Sequence, residues 1–421
     1  MNAAAPNDAP TSPEKAGSGL RSVLEGHRVV VTVGSGGVGK TTTAAALGVR
    51  AAAEGRRVLV LTIDPARRLA NSLGLDRIAA DEQVVGEEIF RAHGLELRGR
   101  LSAMMLDTRR TFDELVRKTA SSPDAAARIL NNEIYGYVAG SLAGTSEYMA
   151  MEKLHAVKDD DRYDLIVLDT PPTSNALDFL DAPERMIAAI DSPAMRWFIE
   201  AFQGGGRGFL SDLVAKGTNL VLKGLSRFTG AGFLEQVAEF VTGMNELFGG
   251  FQARAEEVAR DLRSDEVAFV IVTSPAPMAI REAIFFGEKL GDYGMRRDGV
   301  VVNGVHTLFP EPSVSAEVQR AQLEAALRET GDDADARDLH ERMGRALEDE
   351  RMRAVADRIE TDRLRNRLPK TVPFVEVPAF EEDVHDVAAL ARVASYLLGE
   401  ASLDADLQAL LGGAAHEEGV A

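Results

Sequence analysis

Short apolar runs rich in β-branched residues alternate along this chain with segments of helical spacing. Residues 28–33 (RVVVTV) form the first run. A glycine-rich stretch follows from Gly34 to Gly39, and a helical segment of small residues runs from Lys40 to about Glu54. Gly55, Arg56 and Arg57 close that helix, and Val58–Ile63 (VLVLTI) reads as a second, fully buried strand. Strand, helix, strand in this order predicts two parallel strands joined by a right-handed crossover. Runs at 165–168 (LIVL), 267–272 (VAFVIV), 300–302 (VVV) and 372–377 (VPFVEV) extend the pattern. The alternation predicts an α/β fold with a doubly wound, mainly parallel sheet.

Residues 183–262 interrupt the alternation. Phe233, Val237, Phe240, Val241, Met244, Leu247 and Phe248 recur there at helical spacing, and glycines such as Gly204, Gly217 and Gly230 divide the stretch. This predicts a helical insert that splits the core into 21–182 and 263–400. Residues 312–366 read as a second helical stretch, highly charged and poor in large apolar side chains. Residues 1–20 are rich in Ala, Pro and Ser and read as a disordered tail, and 401–421 as a C-terminal tail.

Composition narrows the function classes. Among 421 residues, Lys plus Arg number 47 and Asp plus Glu 66, a formal charge of −19. So acidic a chain, with no dense basic cluster, is not expected to bind nucleic acid. It holds no cysteine, which excludes disulfides, thiolate metal ligands and cysteine nucleophiles. No apolar run reaches the roughly 18 residues of a membrane span, so a cytoplasmic location is expected.

The chemistry concentrates at the end of the first strand. Gly34-Ser35-Gly36-Gly37-Val38-Gly39-Lys40-Thr41 fits G-x-x-x-x-G-K-[ST] between a strand and a helix. Glycines let backbone N–H groups turn inward around phosphate oxygens, and the helix N-terminus adds its positive dipole end. Lys40 is placed to reach the β- and γ-phosphates of ATP, and the Thr41 hydroxyl to ligate Mg²⁺. Thr42 completes the phosphate-binding set. Asp64, in Ile63-Asp64-Pro65-Ala66, follows the second strand, and Asp169, in Asp169-Thr170-Pro171-Pro172-Thr173, ends the strand at 165–168. The carboxyl ends of strands face the ligand crevice in such sheets, so both aspartates are candidates to meet the γ-phosphate, its Mg²⁺ or the attacking water. The plainer reading of each is an N-cap at a strand–helix turn.

Together these motifs resemble the arsenite-pump/guided-entry (ArsA-type) ATPase family, within the deviant Walker A class of P-loop proteins. The resemblance runs from about Arg28 to Leu398. It implies that Asp64 orients the hydrolytic water and, with Thr41 and Asp169, serves the metal. It also implies that Asn303, after the strand at 300–302, reads adenine, and that Pro378 begins the segment packed on the adenine ring. A strand-end turn residue is the plainer reading of Asn303.

Two departures from the family pattern stand out. The second loop residue of the family is a lysine that crosses a dimer interface to the partner's nucleotide; here it is Ser35. A homodimer of this chain is then expected to hydrolyse slowly, and a heterodimer with a related chain that keeps the lysine becomes an alternative. Arg67 and Arg68 are candidate substitutes, with surface solvation the plainer reading. The lack of cysteine removes the arsenite and zinc chemistry of family members. Trp197, Phe198, Phe202, Phe209, Leu210, Leu213 and Val214 make an apolar stripe in the insert, read either as core or as a groove for a hydrophobic client protein. Three functions stay open: an ATPase that couples hydrolysis to dimer closure, a ParA/MinD-like positioning ATPase, and a nucleotide-binding regulatory subunit with weak turnover. The acidic residues 403–421 count against membrane positioning.

Overall fold

The computed structural model describes residues 19–63, 67–132, 135, 145–170, 181–190, 193, 231–310, 314–330 and 335–408. Its strands are β1 (Val29–Val33), β2 (Arg57–Thr62), β3 (Gln83–Val84), β4 (Arg100–Met105), β5 (Leu165–Asp169), β6 (Val267–Thr273), β7 (Gly299–Val305) and β8 (Phe374–Pro378). They form one sheet in the order β3-β4-β2-β5-β1-β6-β7-β8. The β3–β4 pair is antiparallel and every other neighbouring pair is parallel. This is the doubly wound, mainly parallel sheet expected from the alternation.

Helices α1 (Arg21–Gly26), α2 (Lys40–Ala53), α3 (Arg67–Ser72), α4 (Glu87–Ala92), α5 (Thr108–Thr119) and α6 (Pro123–Leu130) belong to the first half. There follow α7 (Thr145–Lys158), α8 (Ala182–Ile190), α9 (Ala231–Leu262) and α10 (Pro277–Asp292). Last come α11 (Ala316–Thr330), α12 (Ala336–Arg365) and α13 (Val387–Leu397).

Alternation along each strand divides the core into two layers. Val30, Val60 and Val167 face a layer built with Ala44 and Leu47 of α2 and Leu390 and Leu397 of α13. Val29, Val31, Leu59 and Ile166 face the opposite layer, with Tyr148 and Met151 of α7 and Ile280 and Phe286 of α10. β1 lies between β5 and β6, with all five of its residues buried. Its carboxyl end is therefore fixed from both sides.

Strand β4 was not among the strands expected from the pattern. Its sequence, RLSAMM, carries a serine and two methionines and has little β-branched character. It is a strand because β2 offers an edge: Arg57 to Thr62 pair in register with Arg100 to Met105.

Within 183–262 the described segments are helical: most of α8, Pro193 and α9. Leu247, Phe251, Ala255, Val258 and Leu262 of α9 are buried in the layer that holds α7. Arg254 donates from Nε to both oxygens of Glu152 on α7 (2.9 and 3.1 Å). Burial pushes the Glu152 carboxyl above its ordinary range, against the pull of that guanidinium. The apolar stripe from Trp197 to Val214 lies outside the described residues, as do 1–18 and 409–421.

Candidate functional site

The glycine-rich loop turns the chain from β1 into α2. Helix α2 begins at Lys40 after Gly39, which holds φ 95° and ψ 22°. Only glycine adopts this conformation without penalty, and a second constraint acts on the same atom. A Cβ at position 39 would lie 2.3 Å from Nδ2 of Asn303. No side chain caps the start of α2, and no acidic residue occupies its first turn. The amides there are left to an anion, which the helix dipole favours.

Lys40 is buried, and its Nζ donates to the Ser35 carbonyl (2.7 Å). The loop thereby wraps the lysine that it presents. The Thr41 hydroxyl donates to Oδ2 of Asp169 (2.8 Å), and Thr62 Oγ1 donates to the same oxygen (3.1 Å). Asp169 is fully buried at the end of β5. Its neighbour Thr170 donates to the Thr32 carbonyl of β1 (2.7 Å), and Thr32 donates to the Leu168 carbonyl (3.2 Å). Two threonines thus lock the carboxyl ends of β1 and β5 together, with Lys40, Thr41 and Asp169 beside them.

Asn303 enters from the other half of the chain. Its Nδ2 donates to the Val38 carbonyl in the loop (3.1 Å). It pairs with Val377 immediately before a register shift in the β7–β8 ladder, where Gly304 has a φ of 79°. Such an irregularity re-aims side chains at a strand end. Pro378 ends β8 and is buried opposite Val305. The loop carries Gly34, Gly36 and Gly37, with Gly36 and Gly37 exposed, and Thr42 lies in the first turn of α2, half-buried.

Asp64, Pro65 and Ala66 lie outside the described residues, as do Pro171, Pro172 and Thr173 and the side chains of Arg67 and Arg68. Among the described residues, no three His, Cys, Asp or Glu side chains gather as a metal site. None of the described helices is long and apolar enough to cross a membrane.

Glu282, on α10, was not among the expected residues. The Ser35 hydroxyl donates to its carboxylate. Nothing in the local sequence marks Glu282 out, since it reads as one exposed charge on an amphipathic helix. Thr62 joins the site as well, and its place at the end of a strand beside an Asp-Pro-Ala motif is a usable signal.

Comparison with known proteins agrees with this geometry. A family model described as the anion-transporting ATPase matches residues 27–329. ATPase ASNA1 homolog 1 of Paramecium tetraurelia is 26% identical over 313 residues, 72% of this chain and 83% of its own length. ATPase GET3 of Malassezia globosa is 23% identical over 374 residues, 87% of this chain and 89% of its own. ATPase get3 of Neurospora crassa is 25% identical over 306 residues, 71% of this chain and 79% of its own. With a family model spanning most of its length and a glycine-rich loop between β1 and α2, the chain belongs to the anion-transporting, ArsA-type ATPase family, whose members hydrolyse ATP.

Proposed function

We propose that this protein is a Mg²⁺-dependent ATPase of the ArsA/guided-entry type that couples hydrolysis to the closing and opening of a dimer. The observation that carries the reading is the convergence of Lys40, Thr41 and Asp169 at the carboxyl ends of β1 and β5. The loop amides and Lys40 hold the β- and γ-phosphates. The Thr41 hydroxyl, already directed at Asp169, holds the metal side of the site together with that carboxylate. Mg²⁺ held there would neutralise phosphate charge. Asp64 orients the attacking water. Asn303 keeps its side-chain oxygen for adenine while its amide nitrogen holds Val38, and the segment from Pro378 packs on the base.

The dimer is either a homodimer or a heterodimer with a related chain that carries the loop lysine. Its output is a hydrophobic client protein or a membrane-associated partner, and its location is the cytoplasm. One observation favours a second reading, a nucleotide-binding regulatory subunit with weak turnover: position 35 is a serine whose hydroxyl is tied to Glu282.

Steady-state ATP turnover of the purified chain with Mg²⁺, against Lys40→Ala as the blank, separates the two. Turnover well above the blank supports a self-sufficient ATPase. Turnover at the blank level, with ATP still bound, supports the regulatory subunit or a partner-completed site. Loss of ATP binding in the unaltered chain refutes both.

A further inference from the structure

We propose that Glu282 is a positioning residue for the phosphate-binding lysine, acting through Ser35. The proposal rests on the reading of the glycine-rich loop as the ATP phosphate site. Ser35 is held at two points. Its hydroxyl donates to the Glu282 carboxylate, and its carbonyl accepts from Lys40 Nζ at 2.7 Å. Displacing Ser35 therefore moves the anchor of the ammonium group. A lysine carries its charge on a four-carbon stem with many rotamers, so the anchor decides where the charge sits.

Glu282 is itself exposed, but its helix is seated on the sheet. It lies in the second turn of α10, where Ile280, Ala283 and Phe286 are buried in the sheet layer beneath. Helix α10 follows β6, and β6 pairs in parallel with β1, so this turn comes alongside the loop that leaves β1. A carboxylate accepting from a hydroxyl makes a charge-assisted bond, stronger than a neutral one. Asn303 of β7 holds Val38 by a neutral bond, donating from Nδ2 to its carbonyl. The second half of the chain thus holds the loop at two residues, and Glu282 holds the one whose carbonyl accepts from Lys40.

Lys40 serves the β- and γ-phosphates, so the effect of Glu282 is confined to nucleotides that have them. Binding of fluorescent mant-ATP and mant-AMP to the full chain tests this. Glu282→Ala is expected to weaken mant-ATP by about three- to tenfold, the range of one modest hydrogen bond, and to leave mant-AMP unchanged. Ser35→Ala is expected to match it, and the double variant to be no weaker than the weaker single one, because both break the same contact. Glu282→Gln keeps a side-chain oxygen as acceptor and recovers most of the loss. The proposal is overturned by a Glu282→Ala variant that binds mant-ATP as the unaltered chain does. Equal weakening of mant-ATP and mant-AMP, or additive losses in the double variant, overturns it as well. If the unaltered chain binds no mant-ATP, the phosphate-site reading itself has failed, a result distinct from these.

Discussion

Two helices of this molecule are held in opposite ways. Helix α2 is packed almost all round with small residues, Ala44, Ala45, Ala46, Ala51 and Ala52 among them. It approaches β2 so closely that a Cβ at Gly48 would lie 2.6 Å from Cγ2 of Val60. Helix α12, more than twice as long, buries Ala354, Asp357, Thr361 and Leu364 near its carboxyl-terminal half. Met343, Met352, Val355 and Ile359 are exposed on it. Its within-helix pairs, such as Arg342 with Asp338 (3.1 Å), lie at the surface, where water screens them. Its firm anchor is Asp357, which accepts from the backbone N of His306 (2.9 Å) and from its Nδ1 (2.7 Å). The difference follows from what each helix carries. In the proposed function the first turn of α2 presents amides and Lys40 to a phosphate chain, and close packing of small residues leaves that turn little positional freedom. No element of the phosphate site rides on α12, and it tolerates a looser attachment.

This contrast is broken most sharply at the start of α2. Gly39→Ala forces an L-residue to a φ of 95° and drives its Cβ toward Asn303. ATP turnover is expected to fall about a hundredfold or more, since small misplacements in such sites cost that much. Turnover near the unaltered value would mean that the loop is not the phosphate site.

Two turns past the loop the effect moves from activity to stability. Gly48→Val overfills the gap against Val60, and a loss of about 1–3 kcal/mol is expected from the urea midpoint. An unchanged midpoint would show that α2 can lift off the sheet.

A third prediction concerns the opposite edge of the same strands. Asp164, just before β5, accepts from Arg57 N (2.9 Å) and Nε (3.0 Å). Hydrogen bonds from Arg57, first from its guanidinium and then from its backbone N–H, hold the Asp164 carboxyl down at about 2. The folded value lies below the unfolded one of about 3.9, so the pair stabilises the fold above pH 4. That contribution is lost as pH falls from about 4 to about 2. With water screening the half-exposed pair, Asp164→Asn is expected to cost about 1 kcal/mol at pH 7 and clearly less at pH 2, where the folded carboxyl is half protonated. A cost that does not change with pH would mean that the carboxylate charge is irrelevant.

The smallest effect belongs to α12. Met352→Gln or Ile359→Gln is expected to stay within about 0.5 kcal/mol, because most of each side chain stays in water on folding. A larger loss in a thermal melt would reveal a contact made by a second molecule.

How much could be read beforehand depended on sequence distance. Lys40, Thr41 and the glycines lie within one strand–turn–helix, where local spacing carries the chemistry. Asp169 was legible because a buried-type strand ending in an acid has one obvious destination in a parallel sheet. Strand β4 was hidden, since Ser102, Met104 and Met105 have no strong preference and only pairing with β2 decides them. Glu282 was hidden more deeply, for it meets Ser35 across a separation of 247 residues. Asn303 was chosen for adenine, and its hold on the Val38 carbonyl had no signal in its own neighbourhood.

The sequence by itself determined the α/β alternation, the glycine-rich turn into α2 and the acid at the end of β5, because each rests on local periodicity or on a motif a few residues long. Tertiary structure alone decided the order of the strands, the clamps that Glu282 and Asn303 place on the loop, and the close fit of α2 against β2. These depend on which side chains meet after the chain has crossed the sheet, and contacts between distant residues leave no periodic trace in either partner's surroundings.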